Sequence, residues 1–304
     1  MKAIKNWLKI ALINLALVAL LGVILRYKIA FSIPFIDQKN LLHGHSHFAF
    51  AGWISQALMT LLLYYLSKQT QVNILNRYRI LLFLNLGTAY GMLVSFPIQG
   101  YAFFSILFST LSIFTSYAFA IMYWRDLNKL KDIRSIHVWF KAGLLFNVVS
   151  SLGPFSLAYM MGTHLVNQKL YLTSVYYFLH FQYNGWFLFT CIGLIIYKLY
   201  GWIGEKKEFN YIFLLFVISC VPSYFLSALW LPISTALYVL VVLSALMQFV
   251  GWIWLIHIIR IHISVIRNQL PPLSKWLLSL SALSMSIKVS EKKLSSVSPY
   301  VFGI

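Results

Sequence analysis

The chain has 304 residues, 61% of them hydrophobic and only 10% charged, with a formal net charge of +18. A water-soluble domain carries roughly a quarter charged residues, so this composition excludes one of that length. The basic excess reads as a topology signal and not as a nucleic-acid surface, because Lys and Arg gather in the short connections between apolar runs.

Apolar runs occur at 8–25, 43–66, 78–96, 101–124, 138–161, 171–199, 211–230 and 233–258. Each approaches the length of about 20 residues at which a helix crosses the hydrocarbon core. The fold class read from them is all-α, a polytopic transmembrane helical bundle of about 8 spans filling residues 1–260. With both termini cytoplasmic, 20 of the 24 Lys and Arg residues fall inside, and only Arg26, Lys28, Lys39 and Lys169 fall outside. This asymmetry reads as a multi-pass protein of a cell membrane, the bacterial inner membrane in this reading. The first run has no small-residue cleavage site after it, so it reads as a span and not as a cleaved signal peptide.

In chain order, Gln99-Gly100 predicts a tight outer hairpin, and Gly153-Pro154 predicts a kink inside the fifth span. Pro222 and Pro232 bracket the outer end of the seventh. Cys191 and Cys220 lie in apolar runs and read as buried packing residues. Residues 261–304 form a C-terminal cytoplasmic or interfacial segment, whose apolar part, 273–287, is about 15 residues long and short of a full span. An interfacial helix and the stump of a chain that continued with further helices are its two readings.

The densest chemical signal is His43-Gly44-His45-Ser46-His47, at the outer end of the second span. Ionisable groups inside a bilayer are costly and mark functional sites. His164 closes the fifth span, also outside. His180 lies nine residues into the sixth, about 13 Å at 1.5 Å per residue. His137, His257 and His262 fall near the cytoplasmic face and read as interfacial or loop residues. The six acidic residues, Asp37, Asp126, Asp132, Glu205, Glu208 and Glu291, all read as loop or tail residues. The spans then offer imidazole, hydroxyl, aromatic and amide groups (Gln56, Asn85, Gln99, Asn147, Gln182, Asn184 and Gln248). Neutral imidazole without carboxylate suits heme iron or copper better than a hard cation.

Successive helical residues turn by about 100°, so His45 and His47 face opposite sides of their helix, and His43 shares the His47 face. Small neighbours follow on each face: Ala49 and Gly52 after His45, Ala51 after His47. Trp53, Gln56, Gln182 and Asn184 complete the candidate pocket. Two planar cofactors on opposite flanks, or one metal ion between His43 and His47, both remain open on this geometry. A third reading takes the histidines as helix contacts.

His45-Ser46-His47-Phe48-Ala49-Phe50-Ala51-Gly52-Trp53 resembles the His-x-His-x-Ala/Gly-x-x-Gly segment of heme-copper oxidase subunit I, most closely that of nitric oxide reductases and C-type oxidases. The resemblance implies a b-type heme, with His45 as the ligand of a high-spin heme and His47 as an axial ligand of a low-spin one. His180-Phe181-Gln182-Tyr183 is similar to the His-Phe-His-Tyr segment of the same family, with Gln182 in place of the second histidine. His180 is accordingly the expected partner ligand of His47. Gly-Trp recurs at 52–53, 185–186 and 251–252, which suggests an internal repeat. The chain departs from the family in having fewer spans, no His-His pair and no His-Pro.

Three functions follow as expectations. The first is a heme-binding membrane protein related to oxidase subunit I, acting in electron transfer or in sensing or handling O2 or NO with a redox partner or other membrane subunits. The second is a copper or zinc transport or insertion protein using His43, His45, His47 and His164. The third is a cofactor-free carrier or assembly factor. No nucleic-acid partner is expected.

Overall fold

The computed structural model describes residues 2–297 apart from Ser32, Gln71, Asn73, Asp132 and Val166, without the side chains of Lys2 and of residues 289–297. The terminal residues 298–304 of the expected C-terminal segment, and the acidic candidate Asp132, lie outside the described residues. The rest is mostly helical, with short connections and no strand among the described residues. Seven continuous helical runs are long and apolar enough to cross a membrane, and an eighth span results if Glu208–Cys220 and Pro222–Ala228, bent by 45° at their junction, count as one. The described chain is thus an all-helical protein with the dimensions of a multi-pass membrane protein. It divides into two compact units, Met1–Asp132 and Ile133–Ile304.

The first unit opens with α1, Lys2–Ala30. Its buried residues Ile4, Trp7, Ala11, Asn14 and Val18 recur at three- and four-residue spacing, a single stripe turned to its neighbours. The second span is built in three pieces: α2 (Gln38–Phe48), a π-helical segment (Ala49–Ser55) and α3 (Gln56–Thr70). Asp37 caps α2, its carboxylate accepting from the Asn40 amide at 2.7 Å. Helices α4 (Leu75–Gln99) and α5 (Phe103–Leu127) form an antiparallel hairpin. It turns at Gly100, whose φ of +62° is the left-handed region that favours glycine, as Gln99-Gly100 predicted. A Cβ there would also stand 2.7 Å from Asn40 Oδ1.

Asp126 corrects one expectation. It belongs to the last turn of α5 and not to a loop, and it is buried. Its carboxylate accepts from Arg77 Nη1 and Lys129 Nζ at 2.9 Å each and from the Tyr78 hydroxyl at 2.8 Å. These partners at the basic end of the α4–α5 hairpin offset the cost of burying a charge.

The second unit repeats this plan. Helices α6 (Arg134–Ser150) and α7 (Leu152–Gly162) form one span that is interrupted only at Ser151, where the backbone stays helical, and Pro154 has no N–H to donate to the Ser150 carbonyl. The next span is again three pieces: α8 (Gln168–His180), a π-helical segment (Phe181–Phe187) and α9 (Leu188–Ile203). Then follow α10 (Glu208–Cys220) with the 3-10 segment Pro222–Ala228, and α11 (Thr235–Ile261). Two further helices, α12 (Ile263–Gln269) and α13 (Pro272–Val297), end the described chain. The α13 helix packs along α11, with Trp252 Nε1 donating to Ser286 Oγ at 3.0 Å.

The repeat can be placed in register. His47-Phe48-Ala49-Phe50-Ala51-Gly52-Trp53 and His180-Phe181-Gln182-Tyr183-Asn184-Gly185-Trp186 share His-Phe-x-aromatic-x-Gly-Trp. In both, the π-helical segment begins at or just after the Phe. The same 133-residue offset relates buried Asn14 to buried Asn147, and the first residue of α4, Leu75, to that of α10, Glu208. Gly251-Trp252 is not a third copy: it lies in the regular helix α11, and Leu246 stands where the motif has His.

Candidate cofactor site

The π-helical segments shape both candidate sites. A π turn closes its hydrogen bond at i→i+5, widens the helix and leaves backbone groups that need outside partners. In the first unit, Asn85 Nδ2 donates to the Ala51 carbonyl at 3.0 Å and to Gln56 Oε1 at 2.8 Å. Asn14 Nδ2 donates to the Gly52 carbonyl, and Asn14 Oδ1 accepts from the Tyr90 hydroxyl at 2.7 Å. The widened turn is therefore pinned by one amide from α1 and one from α4. Asn14→Leu removes the donor to Gly52 and strands the Tyr90 hydroxyl. The expected cost is about 1–3 kcal/mol, read as a fall in Tm of several degrees in detergent.

The three histidines sit on α2 just before this turn, and their rings part as the 100° step requires. His45 turns toward α1: a Cβ added at Gly22 would stand 3.5 Å from its Cε1. His45 Nδ1 is buried without a hydrogen-bond partner. His47 turns toward the α4–α5 hairpin, its ring stacked on Phe96 with centroids 4.5 Å apart and planes 13° from parallel. His47 Nε2 lies 3.5 Å from the Tyr101 hydroxyl. His43 joins His47 on this side, edge-on to Tyr101 at 4.7 Å and tilted over Phe96 at 6.1 Å. His43 Nε2 is also buried without a partner.

The neighbours expected to line a pocket mostly make core. Ala49, Ala51 and Trp53 pack with Val18, Phe48 and Phe96. The Phe48 ring folds over Gly52, where a Cβ would meet it at 2.6 Å. Gln56 is fully buried in the amide network, with its own Nε2 left without a partner.

In the second unit His180 is fully engaged. The Cys220 carbonyl can only accept, so His180 Nε2 carries the proton and donates to it at 2.8 Å. His180 Nδ1 then accepts from Asn184 Nδ2 at 3.1 Å. Asn184 Oδ1 in turn accepts from Lys288 Nζ at 3.1 Å. Gln182 Nε2 donates to Asn147 Oδ1 at 2.9 Å and to Ser150 Oγ at 2.7 Å. The Cys220 carbonyl also accepts from Ser223 Oγ, which accepts from Gln248 Nε2 at 2.9 Å. His180 can become a metal ligand only by giving up Cys220 or Asn184.

His164 lies apart from this network as an exposed residue at the end of α7, with a positive φ of 54°. Among the described residues no three His, Cys, Asp or Glu side chains come within metal-binding reach of one another.

Asn14, Tyr101 and Lys288 were not singled out from sequence. Asn14 carries a readable signal, since it interrupts the apolar stripe of α1 at a core-facing position. Tyr101 follows the Gly100 turn, and its placement over two histidines depends on that left-handed residue. Lys288 ends an apolar run too short to be read as membrane-embedded. No protein-family model, curated protein or solved structure matches the chain.

Proposed function

We propose that the protein is a heme-binding membrane protein, related to oxidase subunit I, that serves electron transfer or the handling of O2 or NO. The observation that carries this reading is the divergence of His45 and His47 from one helix. The His47 ring enters an aromatic setting at Phe96 and Tyr101, the His45 ring turns to α1 at Gly22, and His45 Nδ1 is buried without a hydrogen-bond partner. A buried, unpaired ring nitrogen costs free energy unless a ligand takes it up, so the donor set fits an axial metal ligand. His45 and His47 would hold heme b; bound heme supplies one-electron exchange and an iron coordination position for a diatomic gas.

The chain's own residues contribute orientation and exclusion of water. Phe96 fixes the plane of the His47 ring, and the Tyr101 hydroxyl stands at its Nε2. Gly22 leaves room for His45 on α1. The amides of Asn14 and Asn85 hold the widened turn directly behind the histidines. In this reading the protein lies in a bacterial inner membrane and exchanges electrons with a redox partner or other membrane subunits.

A second reading, a copper or zinc site, draws on the meeting of His43 and His47 at Tyr101 and on the unpartnered His43 Nε2. Heme and metal content of the purified full chain, compared with His43→Ala, separates the two. The heme reading predicts unchanged heme per chain in the variant and no stoichiometric copper or zinc in either protein. Stoichiometric copper or zinc without heme, lost in His43→Ala, overturns it in favour of the metal site.

A further inference from the structure

By hydropathy alone α13 stays on the cytoplasmic side or at the interface, because its apolar part, 273–287, is shorter than a span. Its packing gives it another course. Helix α11 ends at Ile261, the short α12 packs on α9, and α13 then turns back along α11. Trp252, nine residues before the end of α11, donates from Nε1 to Ser286 Oγ at 3.0 Å, and Ser286 stands 14 residues after the start of α13. The two helices therefore run antiparallel, and α13 goes on to approach the 3-10 segment Pro222–Ala228, which lies ahead of the other end of α11. Two residues beyond Ser286, Lys288 Nζ donates to Asn184 Oδ1 at 3.1 Å. Asn184 lies near the middle of the 36-residue helical run Gln168–Ile203, so α13 has reached the depth of a span's interior at Lys288. Val297 follows nine residues later, about 13 Å further at 1.5 Å per residue. Half of a hydrocarbon core is about 15 Å, so the helix is long enough to reach the far side.

The side chains of α13 suit that course. An interfacial helix carries a strongly charged face, yet no charged residue stands between Lys275 and Lys288. Leu273, Trp276, Leu280, Leu283 and Ile287 recur at spacings of three and four and are each more than half exposed, while Ser286 meets α11. An apolar stripe turned outward from a helix that packs along a span fits contact with lipid. The serines that dilute the hydropathy of α13 are satisfied within it: Ser281 Oγ donates to the Leu277 carbonyl and Ser286 Oγ to the Ala282 carbonyl, each at 2.8 Å. Bonds of this kind leave no hydroxyl proton unpaired in hydrocarbon. The Lys288 charge is costly at that depth, and the Asn184 oxygen takes up one of its N–H groups. Taking Lys288, Lys292 and Lys293 from the inner side still leaves 17 of the 24 Lys and Arg residues there, so the charge asymmetry survives.

We infer that α13 crosses the membrane as a further span of the second unit, anchored at mid-depth by Lys288 on the π-helical segment Phe181–Phe187. Position 296 then lies on the side of Lys169, ahead of α8, and opposite to α12. The crossing gives the second unit a helix with no counterpart in the first. Where α1 and α4 hold the widened turn of the first unit through amides, α13 brings a cation to the turn of the second. The inference rests on the multi-pass reading of the chain and is independent of the heme reading.

The test is labelling of single added cysteines in the full chain by a membrane-impermeant maleimide, in sealed membrane vesicles of either orientation. Cys191 and Cys220 lie within spans, so the parent chain sets the background. Lys169→Cys and Asn268→Cys, both at exposed positions and separated by the three spans from α8 to α11, mark the two sides and check the multi-pass reading by being reached in opposite orientations. Ser296→Cys is expected to be reached in the orientation that exposes Lys169→Cys and to be protected in the other. Ser295→Cys repeats the measurement should the first variant fail to fold. Leu283→Cys, on the apolar stripe, is expected to be protected in both orientations. Labelling of Ser296→Cys together with Asn268→Cys, or in neither orientation, overturns the crossing. So does labelling of Leu283→Cys from the side of Asn268, which an interfacial helix would give.

Discussion

Purified His47→Ala is expected, on the proposed heme reading, to bind heme at least tenfold more weakly than the parent chain, a loss of about 1.4 kcal/mol or more. His45→Ala is expected to remove a different part of the heme spectrum, because the two imidazoles leave opposite sides of α2. His43→Ala should leave the spectrum in place, although His43 touches the same Tyr101 and Phe96 rings as His47. Heme per chain, measured on monodisperse protein for each variant, checks all three. Identical losses in His45→Ala and His43→Ala would contradict the division of the cluster into two faces. The His47 variant also gives up a ring stack, so folded protein is verified by its elution volume before heme is counted.

Gly153→Ala is expected to lower the stability of the protein markedly. A Cβ at Gly153 would stand 2.5 Å from the Ser174 carbonyl oxygen and 2.9 Å from Phe178 Cβ. The first of these is a backbone atom, so no rotamer change relieves it, and α7 must move away from α8. That separation also strains the Ser174–Ser156 hydroxyl contact of 2.9 Å. Overpacking of this kind costs about 1–3 kcal/mol, occasionally more. The expected readout is a fall in Tm of several degrees, or loss of monodisperse protein. Gly87→Ala is the control: nothing stands within 4 Å of its added Cβ, and its Tm should change by no more than about 2 °C. Equal behaviour of the two variants would show that the α7–α8 approach is looser than the structure places it.

Much of the architecture is legible in sequence because hydropathy run length maps directly onto span length. Pro154 and Pro222 also announce their breaks, since proline removes a backbone donor. The helix ends shift by a few residues, which is how Asp126 moved from an expected loop into α5. The π-helical segments are different. No residue pattern encodes an i→i+5 bond, and the widened turn at Ala49–Ser55 is held by amides from α1 and α4, whereas in Phe181–Phe187 the segment's own Gln182 bonds Asn147 and Ser150 of α6. The repeat was visible only as Gly-Trp. That dipeptide alone also picks out 251–252, and adding the histidine five residues earlier isolates the two true copies.

The site was partly legible for the same reason. The parting of His45 from His43 and His47 follows from helical geometry alone. What those rings meet is a matter of tertiary packing: Phe96 and Tyr101 on one side, Gly22 on the other. His180 shows the limit most clearly. Its sequence context matches that of His47, yet the Cys220 carbonyl, from another helix of its unit, and Asn184, four residues on in its own helical run, take both ring nitrogens. Lys288 escaped notice because a length rule for spans ends α13 at the interface, while packing against α11 carries it further.

The measurement that bears most directly on the central claim is the visible absorption spectrum of the detergent-purified full chain, expressed with ample heme precursor and recorded oxidised and after reduction with dithionite. A Soret band that sharpens and shifts on reduction, with an α band of b-type heme and a loss of intensity in His47→Ala, is the predicted result. Folded, monodisperse protein without a Soret band would contradict it.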